Sequence, residues 1–112
     1  MKEFLVLFRE EDGRTGEHSA TDTQQHQLSW RKWLETASSK GALAGGQALT
    51  LRGNVIRNFG KDISEGPYVP KGREIVGGYL LIKADCLEAA TELITSCPVF
   101  EFDGFAEVRE VM

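Results

Sequence analysis

Read along the chain, the elements run strand, helix, strand, small hairpin, strand, helix, strand. That order predicts an α+β fold: a ferredoxin-like four-stranded sheet with two helices on one face and a small inserted hairpin. Three observations carry the prediction. Phe4 to Phe8 and Val76 to Ile82 are apolar runs of strand length. Two stretches with helical apolar spacing open on capping patterns and close near Gly41 and Pro98. Glycine and proline punctuate the joints between them.

Residues 3 to 9 form strand one, with Phe4, Val6 and Phe8 on one side and Leu5 and Leu7 on the other. Residues 10 to 20 are a polar loop. Thr21 and Gln24 fit a capping box that starts helix one, which runs to about Lys40 and stops at Gly41. His26, Trp30, Trp33, Leu34 and Ala37 share one helical face, and Arg31, Lys32, Glu35 and Ser39 lie opposite. Gly41 to Gly46 reads as a turn into strand two, Gln47 to Leu51. Asn54 to Phe59 and Asp62 to Glu65 form an exposed hairpin with Gly60 near its turn.

Gly66-Pro67-Tyr68 then redirects the chain, and Pro70 and Gly72 keep it irregular. Strand three is Glu74 to Lys83. Strict alternation puts Ile75, Gly77, Tyr79 and Leu81 on one face and Val76, Gly78, Leu80 and Ile82 on the other. Gly77-Gly78 inside a strand marks a bulge or a close backbone approach. Asp85 caps helix two, with Glu88 at the capping-box position and Leu87, Ala90, Leu93 and Ile94 as its apolar stripe. Residues 105 to 111 are the last strand.

Two helices cover only one face of such a sheet, yet strands one and three are apolar on both. A second copy of the chain, packed on the open sheet face as a symmetric homodimer, is the expected cover. The 112 residues form one domain, 1-112. The net charge of -4, with its basic residues scattered, argues against nucleic-acid or anionic-membrane binding. No stretch is long enough to span a membrane, and the five-residue apolar run after Glu3 is too short for a signal peptide. Cys86 and Cys97 flank a helix that holds them about 16 Å apart, too far for a disulfide. Free thiols fit a cytoplasmic protein. No spacing suits a metal, and no Gly-Lys-Ser/Thr makes a phosphate loop, so no cofactor is expected.

Several side chains are able to carry chemistry. His26 suits acid/base work, while His18 lies in a loop with no visible partner. Glu65, Tyr68, Lys71, Arg73 and Glu74 surround the Gly-Pro turn and offer carboxylates, a phenol and cations. Glu107 and Arg109 share one face of the last strand, where they pair or hold an anion. The expected site is a cleft between helix one and the sheet, closed by residues 65 to 74. There Trp30 gives apolar contact, and His26, Tyr68 or Arg73 gives polarity. The favoured function is binding of a small polar metabolite without catalysis. The alternative is a small acid/base enzyme using His26 or Glu65.

The run Glu65-Gly66-Pro67-Tyr68, then Lys71, Arg73-Glu74 and Val76-Gly77-Gly78-Tyr79, resembles the DGPF domain of the YCII-related family. The closing Phe105-Ala106-Glu107-Val108-Arg109 looks like that family's Glu-Val-Arg ending, and Cys97-Pro98 and Gly41 to Leu49 fit as well. The resemblance spans nearly the whole chain. It implies a dimeric α/β barrel of two ferredoxin-like subunits packed sheet to sheet. Labels on some members imply a transcription-associated accessory role, and smaller members carry a His and an Asp proposed as a catalytic pair. Here the position of that His falls on Trp30, one turn after His26, and that of the Asp falls near Leu51 or Arg52. Glu65 and Tyr68 stand where the motif has Asp and Phe.

Overall fold

In the computed structural model, which describes residues 1–11, 19–71 and 74–112, four strands build an antiparallel sheet. They are β1 (Lys2–Glu11), β2 (Leu43–Ala48), β5 (Glu74–Ala84) and β6 (Phe105–Glu110), in the spatial order β2-β5-β1-β6. Helices α1 (Ala20–Ser39) and α2 (Leu87–Ile94) accompany it. A separate two-stranded ribbon joins β3 (Asn54–Arg57) to β4 (Asp62–Glu65). The arrangement is α+β and compatible with the ferredoxin-like expectation. No helix of the described residues is long and apolar enough to cross a membrane.

The core lies between the sheet and the helices. Phe4, Val6 and Phe8 of β1 are buried there, opposite Ile82, Leu80 and Gly78 of β5 in the antiparallel register. Ala90 and Ile94 of α2 and Cys97 and Val99 beyond it complete the buried cluster. Trp30, Trp33 and Leu34 of α1 pack against it. Each fully buried large apolar side chain of this kind contributes about 1.5–3 kcal/mol. Gly78 leaves room for β2: a Cβ there would sit 3.1 Å from the Gln47 carbonyl oxygen.

Helix one ends as its sequence says. Gly41, at φ +72°, donates to Ser38, and Ala42 donates to Ala37, which closes the last turn on a residue without a Cβ. Its start lies earlier than expected. Ser19, not Thr21, is the N-cap, and its hydroxyl accepts the Asp22 N–H at 3.0 Å, so Thr21 falls inside the first turn. Asp85 does not cap α2. Because β5 runs on to Ala84, the cap position falls on Cys86, whose side chain makes no capping bond. Leu87 accordingly begins the helix exposed rather than joining its apolar stripe.

Strand two also lies earlier, at Leu43–Ala48 rather than Gln47 to Leu51. Its glycines pair with Leu81 and Leu80, so a segment that reads as a turn is recruited into the ladder by its neighbour. The largest departure is in β5. The register with β1 passes from Phe8↔Gly78 to Arg9↔Val76, skipping Gly77. This bulge reverses the alternation of the residues before it. Ile75 is buried, not placed with Tyr79 and Leu81, and Val76 shares the side of Arg9.

The other face of the sheet carries Leu5 and Leu7, opposite Leu81 and Tyr79 on one flank and Arg109 and Glu107 on the other. The chain measures 44 × 40 × 20 Å. A thickness of 20 Å matches one helix layer on one sheet, layers being about 10 Å apart, and no helix among the described residues covers this second face. Leu5, Leu7, Tyr79 and Leu81 are only half-buried as a result. Cys86 is an exposed free thiol and Cys97 a buried one.

Candidate functional site

The inward face of α1 carries His26, Trp30 and Trp33, one turn or slightly less apart. The Phe8 and Trp30 rings meet in a T-shaped contact, with centroids 5.2 Å apart, so Trp30 is fixed against the sheet. Trp30 Nε1 donates to His26 Nε2 at 3.1 Å. On its other side, His26 Nδ1 lies 2.7 Å from Glu101 Oε1, in the 3-10 turn Pro98–Phe102 that follows α2. Phe102 stacks on the imidazole at 4.2 Å. Trp33 Nε1 donates to Ser96 Oγ at 3.0 Å. The helix is therefore tied to the segment after α2 by a row of aromatic and polar contacts.

These bonds fix the state of His26. Accepting the Trp30 N–H requires a lone pair on Nε2, so the single proton of a neutral ring sits on Nδ1 and is donated to the Glu101 carboxylate. Carboxylate and imidazole resemble the orienting half of a catalytic triad. The nitrogen that would face a substrate, however, is already bonded to an indole. Without a movement of Trp30, His26 has no free lone pair for proton abstraction.

An open depression of about 550 Å³ lies beside this row, between α1 and the segment from Leu93 to Glu101. Lys32 and Lys40 stand on its rim. Its other polar groups are largely committed, since Trp33 is bonded to Ser96 and Glu101 to His26.

A second groove, of about 510 Å³, lies on the open side of the sheet. Arg9, Glu74, Val76 and Phe105 come from three adjacent strands, and Pro67, Tyr68 and Pro70 come from the segment that follows the ribbon. The bulge at Gly77 is what turns Val76 toward it. The Arg9 guanidinium lies 3.6 Å from Glu107, which also accepts from Arg109 at 3.3 Å, so one carboxylate holds two cations in place. The groove thus has an apolar floor, a phenol at its rim and an oriented guanidinium.

The expected cleft between helix one and the sheet is filled with packed side chains, and the residues assigned to it are divided. His26 and Trp30 lie on the helix side, and Tyr68 lies on the open side with Arg9. Arg109 is exposed on the open face beside Glu107 and does not line the groove. Glu65 is exposed at the base of the ribbon, where it pairs with Asn54 in the ladder, and has no side-chain partner among the described residues. Arg73 and His18 lie outside the described residues. Reading the sequence missed Glu101, which is 75 positions from His26, and Arg9 and Phe105, which meet only through the β1–β6 register. Comparison with family models and with curated proteins gives no match.

Proposed function

We propose that the chain is a small cytoplasmic YCII-related protein that works as a homodimer, packed through its open sheet face, and binds a small organic molecule in the groove formed by Arg9, Tyr68, Glu74, Val76 and Phe105. The observation that carries the reading is the arrangement of Arg9. Its guanidinium is oriented by Glu107 at the end of an apolar floor, a combination suited to a carboxylate or similar anion with an apolar body. The sheet order and the half-buried Leu5, Leu7, Tyr79 and Leu81 support the dimeric barrel of two such sheets. The two free thiols suit a reducing compartment. The DGPF-like run supplies Tyr68 and Glu74 to the groove.

The test is thermal unfolding in the presence of a panel of small aromatic and aliphatic carboxylates. Carboxylates should raise the melting temperature of the native protein, while Arg9→Met and Phe105→Ala variants, dimeric as the native chain is, should show no such rise. Equal shifts in all three proteins would remove the groove from the reading.

A second reading, an acid/base enzyme, has the short His26–Glu101 contact in its favour. It ranks below binding because Trp30 occupies the nitrogen that catalysis would use.

A further inference from the structure

We propose that the β3–β4 ribbon is a dimerisation arm, which lays Ile56, Ile63 and Phe59 against a second copy of this chain. The proposal rests on the homodimer reading above and adds the surface that makes such a dimer stable.

The ribbon does not support itself. It has four residues in each strand, and an isolated two-stranded hairpin is marginal in water. At its root the Gly66 N–H donates to the Gly53 carbonyl at 2.8 Å. Ile56 and Ile63 are paired across the ladder and share one face. They are 65% and 61% exposed, so this face meets water. The opposite face carries Arg57, whose guanidinium lies 5.8 Å over the Tyr68 ring. That contact turns the isoleucine face away from the ribbon's own groove segment.

The tip is stranger still. Phe59 is fully exposed and has a left-handed backbone, φ +54°. A left-handed conformation is unfavourable for a residue with a Cβ, and Gly or Asn would take it more readily. A phenylalanine there is unfavourable for the hairpin alone. It is explained when the ring has a surface to enter.

The size of the open sheet face points to the same occupant. Four strands of 10, 6, 11 and 6 residues, at about 3.3 Å per residue and about 4.8 Å apart, present a footprint of roughly 500 Å². A stable interface takes about 800 Å² from each partner. The sheet alone falls short by about a third, and an apolar ribbon projecting from the same subunit supplies the remainder.

Sedimentation and amide exchange test the arm. The Phe59→Asn variant places a residue suited to the left-handed backbone, and Ile56→Thr with Ile63→Thr keeps strand-forming side chains. These changes preserve or improve the hairpin locally, yet should raise the dimer dissociation constant at least tenfold. Backbone amides of Ile56 and Ile63 should exchange slowly in the native dimer and quickly in a Leu7→Arg chain, whose sheet face cannot pair. A native dimer matched in tightness by the arm variants, with ribbon amides exchanging freely, overturns the arm and leaves the dimer standing. A native chain that stays monomeric overturns the dimer reading and the arm together.

Discussion

The Trp30 indole donates its N–H to Nε2 of His26, one helical turn away, and this bond determines where the imidazole proton sits. It leaves Nδ1 to face Glu101 at 2.7 Å. It also couples the histidine to a ring that packs on Phe8 in the sheet.

Removing the indole donor should expose the histidine chemically. In a Trp30→Phe variant, Nε2 loses its partner while the aromatic contact with Phe8 is kept. Acylation of His26 by an imidazole-directed reagent, followed by peptide mass spectrometry, should run several-fold faster than in the native protein. Unchanged rates would mean that the bond is not maintained in solution.

Glu101 should matter little for stability. Its side chain is 45% exposed, and exposed ion pairs contribute about 0–1 kcal/mol. A double-mutant cycle over His26→Ala and Glu101→Ala, measured by urea unfolding, should give a coupling below about 1 kcal/mol. A coupling of several kcal/mol would place the pair in a far drier environment than its exposure allows.

The two thiols should separate cleanly. Cys86 is exposed, whereas burial pushes the Cys97 thiol above its ordinary value of 9.0, and its thiolate is scarce in the folded chain. A thiol reagent should label one cysteine rapidly in the native protein and two after denaturation. The same shift sets a sign for stability. The unfolded chain gives up this proton first, so stability is at its full value below pH 9.0 and declines as the pH rises through the folded value. Rapid native labelling at Cys97 would contradict its burial.

Core and surface truncations should differ sharply. Phe4 is fully buried, and Phe4→Ala should cost about 3–5 kcal/mol. Leu28 lies 45% exposed on α1, and Leu28→Ala should stay within about 0.5–1 kcal/mol. Denaturant midpoints of the two variants make the comparison, and similar losses would mean that Leu28 is covered in solution.

Local signals made much of this fold legible. Alternation in β1 separated Phe4, Val6 and Phe8 from Leu5 and Leu7, and Gly41 marked the end of α1. Signals failed where a distant partner decides. Gly45 and Gly46 look like a turn until β5 lies beside them. Ile75 and Val76 follow strict alternation until a bulge opposite Phe8 exchanges their sides. The site was less legible for the same reason. His26 could be suspected from its helical face, but its partner Glu101 belongs to a turn far along the chain. Tyr68 could be noticed beside its Gly-Pro turn, but nothing local says that the segment faces Arg9 across the open sheet rather than helix one.

Strand interiors ordinarily tolerate no change in length, because one residue gained or lost moves every following side chain to the wrong side. β5 has one position exempt from that rule. On the β1 flank the register passes from Gly78 to Val76, so loss of Gly77 would leave Ile75 facing inward and Val76 outward, as they are now, while giving up the bond that the Gly77 carbonyl accepts from the Leu49 N–H. A deletion at Leu81 would instead send Leu80 to the outward side and Tyr79 to the inward one. Single-residue deletions along β5 should therefore be accepted at the Gly77-Gly78 pair, where loss of either glycine gives the same chain, and rejected at Leu81, which gives this strand one point at which chain length is free to drift.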